Sequence, residues 1–386
     1  MIKNDIFKNA KGNTIYFENL NAIRFIAASL VVIHHIEQEK DIFKITNWWG
    51  NPMINCFGKA GVILFFSLSG FLISFLLLKE EKLTNTISIK KFYIRRILRI
   101  WPLYFLIVGL SLFIFPSIPF FSIEGYTKEL IQSNLSEKIF LYLFFLPNLV
   151  LTTFGLIPYC YQTWSVGAEE QFYLVWPVLN KYIKNKWVLF FGVIVIVISL
   201  KKIALFFPIF QPVEKYLYWT PIQAMAIGGI YALIVLSELP YIVFVKKLMF
   251  NKIIQIIGYT VLFFLIYKGY FFPNLNNEVY AVLFGFLICN LACNENRLFS
   301  MENSVTRYLG KISYGLYMYH LIAIVTAIKF CHLFKFENNF IIYPLTFGIL
   351  ILISSFSYHF FENRFIKRKS KYSVIVSGDD AISKDS

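Results

Sequence analysis

Apolar runs long enough to cross a lipid bilayer recur from one end of this chain to the other, and nothing constrains its fold more. The first is Leu20 to Ile36, and others begin near Val62, Ile97, Trp187, Trp219, Ile253, Glu278, Tyr314 and Phe340. Each needs about 20 residues to cover the hydrocarbon core. A shorter, aromatic-rich run covers Glu169 to Ile183. Lys3, Lys8 and Lys11 ahead of the first run resemble the basic start of a signal peptide. That run, however, contains Arg24, no small-residue cleavage site follows it, and many more hydrophobic runs do, so it reads as a span. In lipid a backbone must satisfy its own polar groups. The expected fold is all-α, a polytopic bundle of about ten transmembrane helices.

Charge sets the topology. The 386 residues hold 37 Lys and Arg against 22 Asp and Glu, a net charge of +15. On charge alone a nucleic-acid partner would be arguable, but a chain that is 58% hydrophobic and only 15% charged is built for the bilayer. The basic excess belongs to the loops, which stay in the cytoplasm when rich in Lys and Arg. Lys79, Lys82, Lys90, Lys91, Arg95, Arg96 and Arg99 place the connection after the second run inside. Lys246, Lys247 and Lys252, then Arg297, Arg307 and Lys311, and the tail Arg364, Lys367, Arg368 and Lys369 do the same further on. Both termini are expected in the cytoplasm. The division is 1–19 as an N-terminal cytoplasmic segment, 20–367 as the transmembrane unit and 368–386 as a polar tail. By parity the Glu169 segment enters from outside, and Ile139 to Leu156, interrupted by Pro147-Asn148, reads as a re-entrant or broken helix lying against the bundle. Five scattered cysteines, Cys56, Cys160, Cys289, Cys293 and Cys331, make neither a disulfide framework nor a zinc site, and no metal is expected.

An ionisable side chain at a helix centre costs roughly 2.5–3.5 kcal/mol on insertion scales, so each one inside a span asks for a reason. Arg24 and His35 lie eleven positions apart on the first span. That is about 1100° of helical rotation, which brings them within about 20° of one face and separates them by about 16 Å along the axis. A snorkelling arginine with an interfacial histidine would also satisfy the pattern. Arg96 and Arg99 at i,i+3, and Arg95 and Arg99 at i,i+4, can converge on one patch, where guanidinium forks match phosphate oxygens. Topology-setting charge with headgroup contact is the alternative. In Thr163 to Tyr173, Glu169 and Glu170 open an apolar segment without a nearby cation, and Ser165 and Glu169 fall at i,i+4. Parity puts both carboxylates on the same side as His35, where one could orient the imidazole; helix-dipole stabilisation is the bland alternative for one of them. Ser67-Leu68-Ser69-Gly70 suits close helix packing, with Ser69 also a candidate nucleophile, and His320 follows Tyr314, Tyr317 and Tyr319. Trp48-Trp49 suits interfacial anchoring or stacking on a sugar ring.

These segments together resemble the integral-membrane acyltransferase-3 family. The matching residues are Leu20-Asn21-Ala22-Ile23-Arg24 leading to His35, Ser67 to Leu72, Tyr93 to Trp101, Trp164-Ser165 through Glu169-Glu170-Gln171-Phe172-Tyr173, Ile312-Ser313-Tyr314 through His320, and Phe361-Glu362. They keep the family's order from about Leu20 to Lys367. Asn21 stands where the family usually has aspartate, and Gly167-Ala168 replaces a bulkier pair. The extracytoplasmic hydrolase-like domain of some members is expected to be absent.

The resemblance implies transfer of an acyl group, usually acetyl, from acyl-CoA to a hydroxyl of an extracytoplasmic or lipid-linked glycan, such as a surface polysaccharide, at a bacterial inner membrane. It implies that Arg96 and Arg99, with Arg24, hold the CoA phosphates. It also implies that His35 acts as general base or transient acyl acceptor, with Glu169 or Glu170 orienting it. Arg95, Ser69, Ser165, Tyr173 and His320 are further candidates. The expected partners are acyl-CoA, a glycan or lipid-linked sugar and the bilayer, with no nucleic acid. A glycan or small-molecule transporter or flippase is the competing reading from another class, and a small-molecule O-acyltransferase keeps the chemistry and changes the acceptor.

Overall fold

A computed structural model describes residues 14–372, apart from 274 and 336–337, together with 376–377. Seventeen α-helices lie among the described residues. α1 (Leu20–Ile42), α2 (Pro52–Thr84) and α3 (Ile89–Gly109) open the bundle, and α4 (Lys128–Gln132), α5 (Leu135–Leu143) and α6 (Pro147–Phe154) are short. α7 (Thr163–Tyr182), α8 (Lys186–Phe206), α9 (Gln211–Tyr218), α10 (Ile222–Leu236), α11 (Pro240–Met249) and α12 (Lys252–Lys268) follow. α13 (Asn276–Cys293), α14 (Ser304–Lys311), α15 (Ser313–Leu333), α16 (Asn339–Ser357) and α17 (Asn363–Lys369) complete the set. The all-α expectation holds, with one two-residue parallel pairing of Thr14–Ile15 and Val376–Ser377 beside it. Residues 1–13 and 378–386, most of the two expected cytoplasmic ends, lie outside the described residues.

Seven helices are long and apolar enough to cross a membrane, and nine runs qualify if each of two bent pairs counts as one. The bent pairs are Pro208–Tyr218 with Ile222–Leu236, at 50°, and Pro240–Met249 with Lys252–Lys268, at 65°. These nine correspond to nine of the ten runs read from the sequence. The tenth, α7, is 20 residues long but is not among them. The π-helical turn Leu110–Ile114 extends α3, whose Pro102 sits inside the helix. α2 and α15 are buried along most of their length, whereas α8 is largely exposed, as a lipid-facing helix should be. All five cysteines are buried and unbridged.

Lipid offers no hydrophobic drive for helix association, so close backbone packing has to supply it. α2 and α10 show how. A Cβ added at Gly70 would fall on the Met225 carbonyl oxygen, and one at Gly228 on that of Ser67. The Ser67-to-Gly70 stretch is therefore where two backbones touch. Gly70→Leu is expected to lower stability by about 3 kcal/mol, the upper end of the overpacking range, read as a fall in the thermal inactivation midpoint of the detergent-solubilised protein. An unchanged midpoint would contradict so close an approach.

The interrupted segment is a broken helix packed on α7. α5 ends at Leu143, Phe145 takes a left-handed φ of 56°, and α6 restarts at Pro147. The backbone freed at this break needs a partner. Gln171 of α7 provides it, donating to the Phe145 carbonyl at 2.9 Å and to Asn148 Oδ1 at 3.1 Å. Asn148 in turn donates to Thr220 Oγ1 at 2.6 Å, and Tyr216 donates to Gln171 Oε1 at 2.8 Å. Gly167 lets the break come close, because a Cβ there would stand 2.5 Å from Pro147 Cδ. That contact leaves no room for a side chain at position 167.

Candidate active site

Two cavities lie between the helices around α1 and α2. The first, of about 160 Å³, is lined among the described residues by four cations, Arg24, Arg96, Arg99 and Lys369, and one carboxylate, Glu169. The second, of about 700 Å³, is lined by His34, His35, Lys59, Tyr161, Trp164 and Trp219 among others. Val62, Phe66 and Tyr317 line both, so the two spaces meet at these three side chains. The Tyr317 hydroxyl donates to the Gln162 carbonyl at 3.1 Å and stands 2.7 Å from Ser165 Oγ. Arg24 and His35, placed on one helix face by their spacing, thus each line one of two adjoining compartments.

In the arginine cavity each group has a visible reason for its pose. Arg24 donates through Nη1 to Asn21 Oδ1 at 2.9 Å, one turn earlier on α1. The Arg96 guanidinium lies over Phe92 at 5.6 Å and Tyr173 at 5.5 Å, and its Nε finds no acceptor among the described residues. Both oxygens of Glu169 receive hydroxyl protons, from Ser69 at 2.9 Å and Tyr173 at 3.0 Å. Glu170 turns away, accepting from Trp101 Nε1 at 3.0 Å. Among the described residues four cations stand against one carboxylate in a mostly apolar enclosure, a lining suited to a polyanion, since guanidinium forks pair with phosphate oxygens.

The histidine cavity presents a base. His35 Nδ1 lies 2.9 Å from the Val31 carbonyl oxygen and 3.1 Å from His320 Nε2, and His320 Nδ1 lies 2.5 Å from the Tyr317 carbonyl oxygen. Carbonyl oxygens only accept, so both rings carry their proton on Nδ1. His320 Nε2 then accepts the second branch of the His35 Nδ1–H bond. His35 Nε2 is left with its lone pair and no hydrogen-bond partner among the described residues. His320 is fully buried, fixed on α15 beside a Met318 carbonyl that accepts from Gln162 at 2.9 Å. Tyr161 packs on His35 at 5.5 Å and donates to Gln38 and Glu39, each at 3.2 Å. His34 points elsewhere, with Nδ1 2.9 Å from the Ile54 carbonyl oxygen and its ring 4.9 Å from that of Trp49.

Three expectations need correcting in their geometry. Glu169 and Glu170 do not open their helix. α7 begins at Thr163, no acidic residue lies in its first turn, and Glu169 sits about 9 Å along the axis. The helix-dipole alternative therefore does not apply. Glu169 lines the arginine cavity and not, as parity predicts, the one that exposes His35, and neither glutamate is a hydrogen-bond partner of His35, whose partners are Val31 and His320. Arg95 does not join Arg96 and Arg99 in lining the cavity. Its guanidinium is 3.6 Å from Glu80 and donates to the Tyr372 carbonyl at 2.8 Å. Ser165 contacts Tyr317 rather than Glu169. Sequence reasoning left out Tyr317 and Lys369 as lining residues. Tyr317 is three residues before His320 on one helix, a spacing that shares a face and could have flagged it. Lys369 carries no such signal. No group of three or more His, Cys, Asp or Glu able to hold a metal occurs among the described residues.

A helical membrane bundle whose polycationic compartment adjoins a histidine compartment has the layout of an integral-membrane group-transfer protein. The chain belongs to the acyltransferase-3 family, whose profile, described as an acyltransferase domain, matches residues 17–359. A Staphylococcus aureus (strain COL) protein provisionally named an O-acetyltransferase is 26% identical over 92% of this chain and 58% of its own length. The peptidoglycan O-acetyltransferase OatA of Listeria monocytogenes is 29% identical over 44% of this chain and 26% of its own length. YrhL of Bacillus subtilis, provisionally named a peptidoglycan O-acetyltransferase, is 23% identical over 90% of this chain and 54% of its own length. The chain thus spans little more than half the length of the curated relatives it matches most fully. No solved structure matches it.

Proposed function

We propose that this protein moves an acyl group, in the first instance acetyl, from acyl-CoA to a hydroxyl of an extracytoplasmic or lipid-linked glycan across a bacterial cytoplasmic membrane. The supporting observation is the meeting of the two cavities at Val62, Phe66 and Tyr317, with Arg24, Arg96 and Arg99 on one side and His35 on the other. In this reading α7 is the tenth span and both termini are cytoplasmic, so the arginine cavity faces the CoA pool. Its cations hold the phosphates, and the narrow pantetheine arm passes Tyr317 to bring the thioester to the histidine compartment. His35 Nε2 takes the proton of the acceptor hydroxyl as that oxygen attacks the thioester carbon; the carbon–sulfur bond breaks and the thiolate leaves as CoA. His320 receives the Nδ1–H bond and so stabilises the imidazolium that forms.

Inverted membrane vesicles supplied with radiolabelled acetyl-CoA test the reading. Label is expected in a glycan fraction, dependent on the protein; free passage of a glycan without any label transfer would favour a transporter instead. Replacing His320 removes one hydrogen bond from the base, worth about 1.4 kcal/mol or tenfold. His320→Leu is expected to lower kcat by about that factor at unchanged KM for acyl-CoA, and His320→Gln, which keeps an acceptor, to recover part of it.

A further inference from the structure

The larger cavity is chemically lopsided in a way that the transfer step does not use. Among the described residues three lysines line it, Lys59, Lys201 and Lys202, against two carboxylates, Glu214 and Glu278. Both carboxylates act on the same lysine. Glu278 of α13 lies 3.7 Å from Lys201 of α8 and also accepts from Gln223 at 2.7 Å, and Glu214 of α9 adds its charge to Lys201. Lys59 and Lys202 are left without a carboxylate partner among the described residues.

Lys59 is the better placed of the two. It follows Gly58, which packs on the His34 ring, and its charge reaches His34. Its ammonium rests between two aromatic faces, 5.2 Å from the centre of Tyr218 and 4.8 Å from that of Phe271. Such faces stabilise the cation without consuming its N–H donors. Trp164 and Trp219, 4.9 Å apart and edge to face, supply an amphipathic aromatic wall to the same space. A cation held by rings, with its donors free and an aromatic wall nearby, is complementary to a sugar that carries a negative charge.

We propose that Lys59, assisted by Lys202, selects an acceptor glycan that bears an anionic group, a carboxylate or a phosphate, and anchors that group in the cavity that exposes His35. The inference rests on the acyltransferase reading and adds the charge class of the acceptor. Charge selectivity arises because a neutral acceptor leaves two ammonium groups of the cavity unpaired, whereas an anion on the sugar pairs with at least one.

Binding, read apart from turnover, tests it. The full chain is placed in phosphatidylcholine nanodiscs and titrated with two matched pairs of probes. One pair is a glucuronate-containing tetrasaccharide and its carboxyl-reduced form; the other is N-acetylglucosamine 1-phosphate and N-acetylglucosamine. At least one anionic member is expected to bind about tenfold more tightly than its neutral partner. Lys59→Gln should cancel that preference and Lys59→Arg keep it. Equal binding within both pairs, no binding by any probe, or a preference that survives Lys59→Gln combined with Lys202→Gln would overturn the proposal. So would displacement of the anionic probe by added phosphatidylglycerol, which would make a lipid headgroup the anion held there. Thioester cleavage of acetyl-CoA in the same discs reports on the acyltransferase reading by itself: cleavage without charge preference sinks only the acceptor proposal, and charge preference without cleavage or transfer sinks only the reading it rests on.

Discussion

His35→Ala is expected to lower acyl transfer by about 100- to 10,000-fold, the range that a positioned general base or nucleophile supplies, while the protein still inserts and accumulates. The structure explains both halves of that expectation. His35 is only partly buried and its Nε2 makes no internal hydrogen bond among the described residues, so the alanine variant loses the ring's contacts with Val31, His320 and Tyr161 but breaks no ion pair. What is lost is a base whose tautomer is fixed by the Val31 carbonyl and by His320. His35→Gln sharpens the test, because an amide can replace the hydrogen bonds but cannot take a proton. It should be nearly as inactive as the alanine variant. Transfer at the wild-type rate by either variant would remove His35 from the chemistry.

The second large effect belongs to Arg96 and Arg99. Replacing both by Gln is expected to weaken acyl-CoA binding by about 100-fold, from about 2.8 kcal/mol for two lost charge-assisted hydrogen bonds. Their cavity would then keep Arg24 and Lys369 as its only cations among the described residues. Arg96 is held by the rings of Phe92 and Tyr173 rather than by a carboxylate, and its Nε is unpaired, so its charge is available to a ligand. Arg95→Gln is the internal control. Its guanidinium lies against Glu80 and the Tyr372 carbonyl, so it should disturb local stability and leave CoA affinity near the wild-type value. Equilibrium binding of labelled acetyl-CoA to purified protein measures all three, and an unchanged affinity in the double variant would contradict the phosphate cradle. A loss should also diminish with rising salt less steeply than for exposed charges, since the cavity is enclosed.

The helical architecture was legible because spanning hydropathy is a long-range, redundant signal: nine runs read from the chain correspond to nine apolar helices or bent pairs. The shared face of Arg24 and His35 was legible because both sit on one continuous helix, where rotation per residue is fixed. What the sequence did not carry was depth and contact between helices. Glu169 looked like a helix start because the apolar run begins there, yet Thr163 to Ala168 are already helical, which moves the carboxylate inward to Ser69 and Tyr173. Arg95 looked like a third member of the cradle because i,i+4 spacing permits it, but Glu80 on α2 claims it. The pairing of His35 with His320 joins residues 285 positions apart, and no local pattern encodes such a contact. Gly167 shows the reverse case, a glycine within a helix that acquires its reason only when Pro147 is seen against it.

In the proposed mechanism a single route leads from the arginine cavity, past Tyr317, to His35. It is tested most directly by an acyl-CoA analogue carrying a photoreactive diazirine at the far end of its acyl chain, cross-linked to the purified protein and mapped by peptide mass spectrometry. Attachment is expected on residues that wall the histidine cavity, such as Tyr161 or Trp164, with loss of that attachment when Arg96 and Arg99 are replaced. Attachment confined to lipid-facing positions of α8, or to the walls of the arginine cavity alone, would contradict it.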